Sequence, residues 1–356
     1  MEAAARGLAL LPRRTSLARR LSRHGARQGA ARRGACAAVG VAEADFFAAA
    51  AAAEALAALR ADVGRACGRA AAREAAEAAQ ARSAPHAFYS DWARVALPEG
   101  HRFPMHKYEL VRKALEADAA VSASMCFSPA PLAPLADVSR AHCPGYSASV
   151  LDGSVSADIM RSVGFPYTAA QARRSFASTG GTLAAAHYAL SQRRAALREF
   201  GTLRPTAGAH TAGGTHHAFR DRGEGFCVFN DIAVAALMAL EEYADVVRRV
   251  LVVDLDVHQG NGTSAIFADD ARVTTFDVHA AKNWPWSSRS VSDYDIGMED
   301  GTGDAEYLAM LRERLPAPFE AHAPDLVIFQ VRQGWCHAQK VGSDLMQFDH
   351  GEGVDS

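Results

Sequence analysis

The apolar run Val250–Val253 has the composition of a strand buried on both faces of a parallel sheet. Within one residue the pattern turns polar. Asp254, Asp256 and His258 alternate with Leu255 and Val257, a spacing that puts the three polar side chains on one side of an extended chain. Gln259-Gly260-Asn261-Gly262 ends the strand, and Thr263 to Phe267 begins a helix. Upstream, Ala87-Phe88-Tyr89 reads as a short strand. Met105 to Ala117 reads as a helix with Tyr108, Val111 and Leu115 at helical spacing. Pro129, Pro131 and Pro134 mark a loop, and Leu135 to His142 and Tyr146 to Leu151 are short helices. Ala169 to Phe200 is a long helical region interrupted at Gly180-Gly181, and Asp231 to Tyr243 is a helix leading into the central strand. A strand at 272–278, a Trp/Pro/Ser-rich loop, a helix from Asp304 to Leu315 and a strand from Leu326 to Phe329 complete the pattern. Helices alternating with strands predict an α/β fold, a three-layer α/β/α domain with a mostly parallel sheet.

Before Pro85 the pattern differs. Residues 44–82 are mostly alanine with scattered Glu and Arg, which favours helix but buries little, so 41–84 is expected to be a helical or disordered linker. Residues 1–40 hold nine arginines and one acid, Glu2, so of the net charge of −2 the remainder of the chain carries −10. An Arg- and Ala-rich, acid-poor start is the composition of a chloroplast or mitochondrial transit peptide; a basic tail in the cytoplasm or nucleus is the alternative. The acidic body has no general electrostatic pull toward nucleic acid, and no stretch is apolar enough to span a membrane. Six cysteines without a C-x-x-C pair suggest a reducing compartment. Cys227 is a candidate nucleophile, but its neighbours Phe226 and Val228 favour a packed side chain.

Two carboxylates and an imidazole at the carboxyl end of a buried parallel strand lie where open α/β sheets place ligands, and form a cation site of the kind Zn²⁺ accepts. An acidic strand end with a chance histidine is the blander reading. A second cluster weighs against it: Gly213-Gly214-Thr215-His216-His217, followed by Arg222-Gly223-Glu224-Gly225-Phe226-Cys227. Adjacent histidines in a strand face opposite ways. The flanking glycines let the backbone turn so that both rings reach one pocket, as a proton acceptor and a donor near neutral pH.

Together these segments, GGTHHAFRDRGEGFCVFND and DLDVHQGNG, resemble the histone deacetylase family. Asn261 and the run from His279 to Trp286 look closer to class IV and bacterial deacetylases than to class I. LPEGHRFPMHKY (97–108), SVGFPYT (162–168) and GTGDAEYL (301–308) add to the match, which spans roughly Pro85 to Gln330. The resemblance implies an arginase/deacetylase fold and a zinc amidohydrolase acting on acylated lysine or a related acetylated amine. It makes Asp256 and His258 metal ligands and His216 and His217 general base and acid. Asp254 would hold His216 and Asn261 would orient His217. Gly225 and Phe226 would wall the acyl-lysine channel. Backbone oxygens of Asp254, Asp256 and His258 resemble the family's monovalent cation (K⁺) site, with Asp277 at a position usually held by serine.

The chain departs from the family after Gln330. The segment carrying a third metal ligand and the later catalytic tyrosine are not found, and no tyrosine follows Tyr307. The catalytic domain therefore reads as 85–330, C-terminally incomplete, with a non-family tail at 331–356. The tail is expected to be translated intron or the mark of a truncated splice form. The alternative is an inactive paralogue that binds acylated ligands or a partner. A binuclear arginase-like hydrolase would need more carboxylates around two metals. Acyl length and oligomeric state stay open.

Overall fold

The computed structural model describes residues 31–66, 70–80, 85–202 and 205–331. The expected transit peptide, up to residue 30, and the expected tail, from residue 332, lie outside the described residues. The elements in chain order are α1 (Ala31–Arg65), α2 (Ala70–Gln80), β1 (His86–Tyr89), α3 (Lys107–Ala117), α4 (Ala119–Ser124), β2 (Cys126–Pro129), α5 (Leu135–Ala141), α6 (Pro144–Asp152), α7 (Ala157–Val163) and α8 (Ala169–Phe200). They continue with β3 (Gly208–His210), α9 (Asp231–Glu242), β4 (Val250–Asp254), α10 (Asn261–Phe267), β5 (Val273–Ala280), β6 (Tyr294–Met298), α11 (Asp304–Arg314), α12 (Pro316–His322) and β7 (Leu326–Gln330).

The strands pair in parallel, as the alternation of elements predicts, but among the described residues they form two sheets. One runs β2-β1-β3 and the other β6-β5-β4-β7. The layers follow from strand parity. Val250 and Val252 of β4 join the main core, while Leu251 and Val253 join a smaller cluster on the other face. The main core includes α9, whose residues from Asp231 to Leu240 are all buried; a helix apolar on every side must lie inside. The smaller cluster is closed by Tyr307, Met310, Leu311 and Leu315 at α11. Each fully buried Val or Leu of β4 contributes roughly 1.5–3 kcal/mol, so the strand that ends at the candidate site is firmly held on both faces. β7 is an edge strand with one face open: Leu326 and Ile328 lie against the main core, while Phe329 is 58% exposed.

Two expectations are corrected. Gly180 and Gly181 do not interrupt α8, which runs unbroken from Ala169 to Phe200. A Cβ at Gly180 would come within 2.0 Å of the Pro131 carbonyl oxygen, and one at Gly181 within 2.4 Å of the His210 ring. These glycines allow close packing rather than a break. The alanine-rich stretch is helical, but it is not merely a linker. Two compact units divide at Ala51, and the second, Ala52–Ser356, takes in the end of α1 and all of α2. Leu59, Val63, Ala72 and Ala76 are buried in the main core, and α2 packs along α8. Small side chains let α2 approach α8 closely, so its stability comes from that tertiary contact and not from helix propensity.

Candidate functional site

β4 ends at Asp254, and the chain beyond it does not stay extended. The Asp254 Oδ1 accepts from the backbone N–H of Asp256 (2.9 Å), and the Asp256 Oδ1 accepts from that of His258 (2.8 Å). Such turns let a short acidic side chain bond the amide two residues on. The three polar residues therefore step around the strand end instead of lining one face. Asp254 turns its second oxygen to His216, while Asp256 and His258 face each other with Oδ1 and Nδ1 3.0 Å apart.

The glycine-bearing turn before the histidines brings both imidazoles to this spot, with ring centroids 3.9 Å apart. Asp231, at the start of α9, holds the turn by accepting from the N–H groups of Gly214 (3.1 Å) and Thr215 (2.7 Å) and from the Thr215 hydroxyl (2.6 Å). Asn230 caps α9 by accepting from Ala233 N–H (2.9 Å). Its Nδ2 donates to the Ala218 carbonyl (3.2 Å) and to Thr263 Oγ1 (3.0 Å). One cap, worth about 1 kcal/mol in an ordinary helix, here also ties the histidine turn to α10.

His216 and His217 are both fully buried and meet opposite environments. His216 Nδ1 donates to Asp254 Oδ2 (2.5 Å), and the Gln330 amide lies beside the same nitrogen (2.7 Å), where it can bond only with its oxygen turned to the ring. Burial alone lowers an imidazole pKa. For His216 the Asp254 carboxylate, with Asp256 and Asp277 behind it, more than offsets that and raises the pKa to about 9. Its Nε2 is buried without a hydrogen-bond partner, 3.9 Å from Asp256 Oδ1. His217 Nδ1 donates to Asn261 Oδ1 (2.8 Å). Burial, reinforced by the charge on His216, holds its pKa well below the usual histidine range. The two rings are thus driven in opposite directions, His216 toward its charged form and His217 toward its neutral one.

The wall of the site is a strained turn. Gly225 (φ 54°) and Phe226 (φ 66°) are both left-handed, a conformation that costs a non-glycine residue about 1–2 kcal/mol. Backbone bonds to α7 hold it there: Gly225 N–H donates to Ser162 O (3.1 Å) and Phe226 N–H to Val163 O (2.7 Å). The Phe226 ring packs on Phe103 (4.9 Å) and Phe165 (5.1 Å). Trp284 stands edge-on to His217 (4.5 Å) and His258 (5.7 Å), and a Cβ on Gly225 would come within 2.3 Å of its ring. Cys227 is buried, as its neighbours predict.

Asp277 accepts from Gly260 N–H (2.6 Å) and faces His279 Nδ1 (3.0 Å). Burial, with Asp254 nearby, raises its pKa to about 6. Asp256 and His258 are two donors suited to zinc, and the buried, unbonded Nε2 of His216 faces the same side. No group of three His, Cys, Asp or Glu ligands occurs among the described residues, so the set fits zinc in two of the three protein ligands usual for a catalytic site.

Thus seven of the site residues read from the sequence come together, His216, His217, Asp254, Asn261, Asp256, His258 and Gly225, while Phe226 follows Gly225 on the same turn with its ring on Phe103 and Phe165. Asn230, Asp231, Trp284 and Gln330 also stand at the site, where the sequence reading does not place them. An Asn-Asp pair before an apolar helix is a recognisable start signal, and could have pointed to the first two. The others carry no local signal.

A sequence profile described as histone deacetylase domain matches residues 101–334. The chain is 35% identical over 245 residues to an uncharacterized protein of Picosynechococcus sp. (strain ATCC 27264 / PCC 7002 / PR-6), covering 69% of this chain and 76% of that one. It is 32% identical to histone deacetylase 18 of Arabidopsis thaliana, over 38% of this chain and 24% of that protein. It is 34% identical to the acetoin utilization protein AcuC of Staphylococcus aureus (strain Mu50 / ATCC 700699), over 34% of this chain and 33% of that one. The chain thus spans a third or less of these two named relatives. Among solved structures, the crystal structure of the HDA15 HD domain superposes with a TM-score of 0.57 at 20% identity, covering 75% of this chain and 76% of that one, which supports the shared fold.

Proposed function

Because the chain belongs to the histone deacetylase family, we propose that its site is a zinc-dependent amidohydrolase centre for acylated lysine or a related acetylated amine. The observation that carries this reading is the pair of buried imidazoles, one on a carboxylate and one on an amide, beside Asp256 and His258. Asp256 and His258 would hold the metal, which when bound supplies Lewis acidity to an amide carbonyl and to water. His217, neutral with its proton on Nδ1, leaves Nε2 free to take a proton. His216, held by Asp254 and driven toward its charged form, would stabilise developing negative charge and give its own Nε2 proton to the leaving amine, while the proton taken by His217 passes to solvent. Gly225 and Trp284 leave a narrow apolar wall that favours a slender acyl-lysine stem over a branched one. Potassium remains part of the proposal only through the backbone at Asp254–His258.

The two-ligand set favours a second reading, in which the site binds an acylated ligand without turning it over. One experiment separates them. The full chain, supplied with zinc, is given an acetyl-lysine peptide, and free acetate and amine are measured. The first reading predicts zinc-dependent release, weakly saturable in zinc, that His217→Ala abolishes. Peptide binding by a folded, zinc-supplied chain with no release would pass the site to the second reading.

A further inference from the structure

We infer that Glu224 is a positioning residue for His217, acting through Ser288 and Asn261; the inference rests on the acid–base reading of His217 above. The four groups form one hydrogen-bonded line. His217 Nδ1 donates to Asn261 Oδ1 (2.8 Å), and Asn261 Nδ2 donates to the Ser288 carbonyl (3.0 Å) and hydroxyl oxygen (3.2 Å). The Ser288 hydroxyl in turn donates to Glu224 Oε1 (2.5 Å).

The need for this line comes from the amide. A carboxylate offers a histidine two equivalent acceptor oxygens, so Asp254 serves His216 in either orientation. An amide has two unlike ends. If Asn261 turned its NH₂ toward His217, Nδ1 would have to accept, and the ring proton would move to Nε2. The neutral ring would then have no lone pair for a base to use. Two acceptors oppose that flip, the Ser288 carbonyl and the Ser288 Oγ. The second is an acceptor toward Asn261 because its own proton is committed to the Glu224 carboxylate. Without that carboxylate the hydroxyl is free to donate to a flipped amide oxygen.

Glu224 is well placed for the task. Reciprocal backbone bonds with Cys227 (3.0 and 2.8 Å) close the same turn that presents Gly225 and Phe226. Ser288 lies in the loop that carries Trp284, between β5 and β6. The wall and the base are thus held by one piece of structure, and a shift of the 284–288 loop would reach the His217 proton.

The test uses the full chain with ¹⁵N-labelled histidine, free of metal, so it needs no activity. The His217 ring should carry its proton on Nδ1. Glu224→Ala and, separately, Ser288→Ala should introduce the Nε2–H form, with an unchanged chemical shift for His187, which bonds Tyr243 away from the site. If the chain is active, Glu224→Ala should lower turnover about tenfold, within the range typical of such outer partners. The same substitution should cost less than twofold when Asn261→Asp is already present, because a carboxylate needs no orienting. An unchanged tautomer in both variants would overturn the inference, as would an equal Glu224→Ala penalty in both backgrounds. Absence of activity in the parent chain would count against the proposed function alone, since the tautomer measurement stands without it.

Discussion

His216 and His217 are adjacent, equally buried and 3.9 Å apart, yet the two sides of the site treat them oppositely. On the β4 side, His216 rests on a carboxylate with two more carboxylates behind it, and its pKa is raised. On the α10 side, His217 rests on an amide and faces the charge of its neighbour, and it stays neutral. Residue type is the same and burial is the same, so the difference comes from the surrounding charges: carboxylates around His216, and the neighbouring His216 beside an uncharged amide for His217. One dipeptide placed between a strand end and a helix start thus meets a carboxylate on one side and an amide on the other.

The largest expected effect comes from removing the carboxylate side. Asp254→Asn would leave both imidazoles on amides, and His216 would lose its charge. Turnover should fall by about 10²–10⁴, the usual range for a positioned acid or base, with the fold retained by circular dichroism. Retention of parental turnover in a folded Asp254→Asn chain would break the comparison.

A third buried histidine sharpens it. His142 donates from Nδ1 to the Phe219 carbonyl (2.8 Å) and accepts at Nε2 from Asn230 N–H (2.9 Å), and no carboxylate bonds it. Burial lowers its pKa from 6.5 to about 4. Between those values the unfolded chain binds the extra proton, so the stabilisation is full above about pH 6.5 and is lost as pH falls toward 4. The loss amounts to about 3 kcal/mol. Denaturant melts in the parent and in His142→Gln should show a shallower acid slope in the variant. Parallel slopes would mean that His142 does not stay neutral.

The smallest effect comes from making the two sides alike. Asn261→Asp puts a carboxylate under His217 and should raise its pKa by about 1–3 units. The acid limb of the pH–rate profile should move up by the same amount; an unmoved limb would show that His217 is not the base.

How much of this was legible in the sequence depends on where the information lies. The β4 strand was legible because four consecutive apolar residues need no partner to be recognised, and the site residues followed it at short spacing. The family resemblance supplied their pairing, which spacing alone does not. The short strands β2 and β3 were invisible: CFSP and GAH have no period, and only pairing with β1 makes them strands. β6 was read as loop although Tyr294, Ile296 and Met298 alternate, because the preceding Trp/Pro/Ser segment obscured where the loop ended. Glu224, Ser288 and Trp284 gain their roles only when two loops distant in sequence meet. The docking of α2 was missed for a related reason: Ala72 and Ala76 look like inert helix formers until α8 lies against them.

The central claim is that one histidine of the pair is charged and the other is not. ¹⁵N nuclear magnetic resonance of the metal-free, histidine-labelled full chain at about pH 7 reads both rings directly. The account predicts that His216 carries protons on both nitrogens and that His217 carries one, on Nδ1. Two neutral rings, or a charge residing on His217 instead of His216, would contradict it.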